Sequence, residues 1–159
     1  MSASATPEGM LRVNQDPSSA GALALVAGGT LSAVAAVAHL ACIALGAPAY
    51  RFMGAGERMA RAVEAGKLRP ALVTLGIASV LVVWSAYALS GAGLIGRLPM
   101  TKLALPAICF AYLARAVGFP LLKSTFPENS NTFWLVSSGL CFLLGLLHVF
   151  GVASLWATL

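Results

Sequence analysis

Only 9% of the 159 residues are charged and 59% are hydrophobic, with a mean hydropathy of +0.88. A soluble domain carries about 25% charged residues, so the solvent for most of this chain is expected to be lipid. The net charge of +5 suggests nucleic acid at first sight, but no basic run is interleaved with aromatics and no helix-turn-helix or zinc-finger spacing occurs. Sparse bases flanking apolar spans instead follow the positive-inside pattern, and nucleic acid is excluded as a partner.

In chain order, residues 1–19 are polar and read as a tail. Residues 20–46 carry no charged side chain over 27 positions, more than the roughly 20 that span hydrocarbon. This is too long for a signal-peptide core, so a retained first span is expected. Gly28, Ser32 and Ala36 recur every fourth residue and form a small-residue stripe for close helix approach. Residues 47–69 hold five of the ten bases (Arg51, Arg58, Arg61, Lys67, Arg69) beside Glu57 and Glu64. Phe52, Met59 and Val63 share a helical face there, which predicts one short interfacial amphipathic helix over 51–64, weakened by Gly54 and Gly56.

Further spans are expected at 70–89, 103–122 and 132–157. The expected fold is an all-α integral membrane four-helix bundle, residues 20–159, with the amphipathic helix between spans one and two. Trp134 and Trp156 lie near the two ends of the last span and read as interface anchors. The connections at 47–69 and 123–131 carry six Lys and Arg, against three for the tail and the 90–102 turn. That bias places the long loop in the cytoplasm and both termini outside it, in a multi-pass protein of the bacterial inner membrane.

No acid lies in any span, so the intramembrane ionisable set is His39, Arg115 and His148. His39 and Arg115 fall on the order of 10 Å in from the long-loop side, at a depth shared by Thr74, Ser137 and Ser138. These residues define a candidate ligand-binding set, with Glu57 as a counter-charge folding back from the loop. A guanidinium beside an imidazole suits a carboxylate or phosphate, and points to an anionic amphiphile or lipid. The plainer reading is that Arg115 snorkels to the headgroups and His39 bonds a carbonyl. Haem b, with His39 and His148 as axial ligands, conflicts with spacing, because His148 lies roughly 13 Å deeper than His39. It reads as a core histidine bonded to Ser85 or a carbonyl.

Cys42, Cys109 and Cys141 are isolated, with no C-x-x-C, and read as small hydrophobes. No nucleophile elbow, Walker loop, H-E-x-x-H or carboxylate pair occurs, so no catalytic residue, metal or cofactor is assigned. The leading function is a non-catalytic inner-membrane protein that binds an anionic amphiphile or lipid, or serves as accessory to a membrane partner or to a second copy. The alternative is a membrane enzyme for a lipophilic substrate, with Arg115 holding an anionic group and His39 as acid or base.

The stretch YRFMGAGERMARAVEAG, followed by LVTLGIA and YALSGAGLIGRLP, resembles a group of small bacterial inner-membrane proteins of four spans. That resemblance covers residues 30–150 and implies the fold without implying an activity. In length and span count the chain is also similar to DoxX-like proteins. The basic loop after the first helix is similar in placement to that of membrane-bound glutathione transferases, whose asparagine and acid pattern the chain lacks.

Overall fold

The computed structural model describes residues 17–118 and 131–159. Among these the chain is all helical, in the order α1 (Pro17–Leu45), α2 (Ala47–Phe52), α3 (Glu57–Glu64), α4 (Arg69–Gly91), α5 (Thr101–Val117) and α6 (Asn131–Leu155). Three of them, α1, α4 and α6, are long and apolar enough to cross a membrane. At 1.5 Å per residue they run about 35–44 Å, against a hydrocarbon core of about 30 Å. α5 has 17 residues and retains Pro106 in its interior. The rest of the span expected at 103–122 lies outside the described residues, as does the tail up to residue 16.

Glycines set the breaks. α1 stops where Gly46 takes a φ of +75°, and Pro48 sits in the first turn of α2. The single amphipathic helix expected over 51–64 is in fact two short helices. Gly54 and Gly56, at φ +69° and +88°, turn the chain between α2 and α3, a conformation that residues with a Cβ rarely adopt. The apolar face divides with them. Met59 and Val63 pack beside buried Tyr50 and Ala60, whereas Phe52 is 86% exposed on α2. Arg58 and Arg61 face outward.

The four long helices pack as a ring in the order α1, α4, α5, α6, with the α4–α5 contact the loosest between neighbours. The α2–α3 segment lies across the ends of α1 and α4. Inside the ring lie Leu25, Ala36, Leu81, Leu105, Ile108, Leu144 and Val152. The outer surface is also apolar: Leu72, Val83, Leu135 and Phe150 are each at least half exposed. A soluble monomer does not present apolar surface on this scale, whereas a protein solvated by lipid does.

The small-residue stripe faces inward, as its spacing predicts. Gly28, Ser32 and Ala36 are all buried. Gly28 accommodates the ring of His148, and a Cβ there would lie 2.7 Å from the imidazole Cε1. One turn further, the Ser32 hydroxyl donates to the Gly28 carbonyl at 2.8 Å. Its single proton is thereby used, so the Tyr112 hydroxyl donates to Ser32 Oγ, also at 2.8 Å. This bond joins α1 to α5 across the middle of the ring. Trp84 of α4 meets Tyr112 edge-on at 4.8 Å and His148 of α6 lies 5.3 Å from it, so all four long helices contribute to one buried cluster.

At the far end, the α4–α5 turn is fastened by side chains. Ser90 Oγ donates to the Gly96 carbonyl and accepts from the Leu98 amide, and the Tyr87 hydroxyl donates to the Pro99 carbonyl. Polar backbone that leaves a helix near hydrocarbon needs such partners.

Candidate functional site

Arg115 is the only charged side chain in the interior of the four long helices; Arg69 and Lys102 stand at helix starts. Its guanidinium crosses to α6. Nη2 donates to Ser137 Oγ at 3.1 Å, and the guanidinium carbon lies 5.4 Å from the centre of the Trp134 ring. Trp134 is only 2% exposed, so it is a buried platform for the cation and not the outward-facing interface anchor expected of it. The cause is local: from Asn131, the first two turns of α6 point Trp134 and Ser137 inward at i, i+3 spacing, toward α5. Trp156, by contrast, is half exposed, with Lys102 lying 5.9 Å from its ring centre.

Two polar atoms of the expected set are buried without a hydrogen-bond partner among the described residues, Arg115 Nη1 and Ser138 Oγ. Buried donors are ordinarily paired, and a charged one left unpaired is costly. The side chains themselves are only partly covered: Arg115, Ser137 and Ser138 each retain intermediate exposure. On the neighbouring side, Phe133 stacks edge-on against Trp134 at 5.7 Å and its ring lies against Gly54. The turn between α2 and α3 is thus seated one side chain away from the Arg115 stack.

The other expected members of the set lie elsewhere. Glu57 does not serve as the counter-charge of Arg115. It accepts from Arg51 at 2.9 and 3.0 Å and from Arg61 at 3.2 Å, and Arg51 also holds Glu64 at 2.8 Å. Hydrogen bonding by Arg51 first, then by Arg61, draws the Glu57 carboxyl from 4.5 down to about 2. The two acids in turn raise the Arg51 guanidinium above its ordinary range. The favourable i, i+4 order of Glu57 and Arg61 is realised, but the dominant partner comes from α2. Thr74 donates to the Tyr50 hydroxyl at 3.0 Å, which docks α2 on α4. His39 Nδ1 bonds the Ala35 carbonyl of its own helix at 2.7 Å. No hydrogen bond or ion pair joins His39 to Arg115 among the described residues. The structure therefore brings together Arg115 and Ser137, with Ser138 beside them in sequence, and leaves His39, Thr74 and Glu57 with other partners.

His148 is fully buried, and its Nδ1 donates to the Leu144 carbonyl at 2.8 Å. It packs at the level of Gly28, eleven residues from His39 along α1, a rise of about 16 Å. The two histidines cannot be axial partners at one height.

The sequence placed Trp134 at the interface and left Tyr112 without a role. A tyrosine in mid-span has no water for its hydroxyl and must find a partner, which was the available signal. A concavity of about 660 Å³ lies at the opposite end, lined by Arg97, Lys102, Thr101 and Thr158 among others. Arg97 there donates to the Thr158 carbonyl at 2.6 Å, and Lys102 faces Trp156, so its cations are engaged.

No family model matches the chain, and no curated protein or solved structure matches it either.

Proposed function

We propose that this is a four-span protein of the bacterial inner membrane, with both termini outside the cytoplasm, that holds an anionic amphiphile at Arg115 without catalysing a reaction. The observation that carries this reading is the buried, unpartnered Nη1 of Arg115, together with the unpartnered hydroxyl of Ser138, next in sequence to its partner Ser137. The two acids among the described residues, Glu57 and Glu64, are taken up by Arg51. A guanidinium fixed through one nitrogen and stacked on an indole presents its remaining donors in a set direction, which suits an oxyanion. Snorkelling is a poorer account, since the Arg115 head is turned to Ser137 and Trp134. No observation favours the enzyme reading, because His39 is bonded back to its own helix.

The test is retention. Wild type purified in mild detergent should carry an anionic amphiphile visible by native mass spectrometry. Arg115→Leu should lose it, and Arg115→Lys should lose most of it, because a point charge does not reproduce the planar fork. Equal retention by all three proteins would remove the proposal.

The topology is tested separately. A C-terminal alkaline phosphatase fusion should be active, and a C-terminal reporter that fluoresces only in the cytoplasm should be dark. The opposite pattern would invert the assignment.

A further inference from the structure

We infer that the amphiphile is a long-chain carboxylate, a free fatty acid anion, and not a phospholipid. This rests on the Arg115 reading and adds the class of headgroup. Three observations lead to it.

The first is charge. Arg115 is the single cation within the helix interiors, and its described polar neighbours, Ser137, Ser138 and Trp134, are neutral. One positive charge balances a monoanion. A phosphate monoester such as phosphatidate, at about −1.5 to −2, would leave a net negative charge in a poorly solvated place. A phosphodiester is a monoanion too and is set apart by depth.

The second is donor count. The unsatisfied donors are the N–H groups of Arg115 Nη1 and the hydroxyl of Ser138. Two groups match the two oxygens of a carboxylate, each of which can accept one charge-assisted bond. A phosphate monoester would bring a third oxygen with no donor to meet it.

The third is depth. Ser137 and Ser138 lie six and seven residues beyond the start of α6 at Asn131, about 9–10 Å along the helix. The phosphate of a diacyl lipid is tied to a glycerol and two chains at the headgroup level, so drawing it this far inward would drag polar linkages into hydrocarbon. A fatty acid carboxylate has nothing beyond it and can sink. Val136 precedes Ser137, Leu140 lies one turn beyond Val136 at i, i+4, and Val117 lies two residues after Arg115. All three are apolar side chains more than half exposed.

The experiment uses the full chain in detergent, incubated with an equimolar mixture of palmitate, dioleoyl phosphatidate and methyl palmitate, and read by native mass spectrometry. Palmitate adducts should exceed phosphatidate adducts at least tenfold, with methyl palmitate at background. Arg115→Leu should abolish the palmitate adduct. Ser138→Ala should weaken it about tenfold or more, the effect of one hydrogen bond to a charged group. Circular dichroism melting serves as the folding control for both variants. A phosphatidate adduct that dominates and depends on Arg115 would overturn the carboxylate inference and leave the anion site standing. Adducts indifferent to Arg115 would overturn both.

Discussion

Gly28→Val should destabilise the protein by about 3 kcal/mol or more, the upper range for overpacking a close-packed interior. The first added atom would lie 2.7 Å from His148 Cε1 and 2.9 Å from Nδ1. Real Cβ contacts essentially never come this close, so something has to move. His148 is badly placed to do so. Its Nδ1 is bonded to Leu144, its ring leans on Tyr112, and it is completely buried. Displacing it would disturb the one cluster that all four long helices share. Valine also brings β-branching, which crowds the preceding turn of α1. Against a total stability of about 5–15 kcal/mol, the loss is large.

Gly76 of α4 is the control, because nothing lies within 4 Å of a Cβ built there. Gly76→Ala should be neutral or stabilising by up to about 1 kcal/mol, through helix propensity alone. Unfolding midpoints in detergent, followed by circular dichroism, compare the two. Similar midpoints for Gly28→Val and wild type would show that α1 and α6 do not pack at Gly28.

Arg115→Leu should reverse its effect on stability according to whether the amphiphile is present. A charged arginine within a membrane helix costs about 2.5–3.5 kcal/mol on insertion scales. The bond to Ser137 and the Trp134 ring offset part of that, and Nη1 remains unsatisfied. In protein stripped of amphiphile, the leucine variant should therefore be more stable by about 1–2 kcal/mol. With amphiphile at a hundred times its dissociation constant, wild type gains about 2.7 kcal/mol and the variant gains nothing, so the order inverts. Unfolding midpoints of both proteins, with and without added amphiphile, give the four values needed. If wild type is the more stable in both conditions, Arg115 is a structural residue whose neighbours already satisfy it.

The site shows where sequence and structure divide. Arg115 and Ser137 were legible because charge and hydroxyls at matching depth on α5 and α6 stand out in an apolar chain, and depth follows from counting residues. Lateral position does not. His39 lies at a comparable depth, yet its short side chain reaches its own helix backbone before anything else. Thr74 shares that depth too, but Tyr50 comes down from α2 to meet it. Glu57 was assigned to Arg115 because both are on the long-loop side. Arg51, six residues away in sequence, is closer.

What the sequence determined by itself is the medium and the periodicity. Too few charges for water, apolar runs long enough to span hydrocarbon and a four-residue stripe of small side chains together specify apolar helices that pack closely. The breaks at Gly46, Gly54 and Gly56 follow from the residue type, although the split of one expected helix into α2 and α3 was under-read. The tertiary structure alone decided the partners. Tyr112 meets Ser32 across the ring, Trp134 turns inward beneath Arg115, and His148 enters the space that Gly28 leaves. The physical reason is range. Helix formation and burial are set by neighbours three and four residues apart, whereas a side chain's polar partner depends on which helix stands opposite and at what rotation. Nothing in the local pattern of a nearly uniform apolar sequence encodes that rotation, and close packing fixes it only once all four helices are in place.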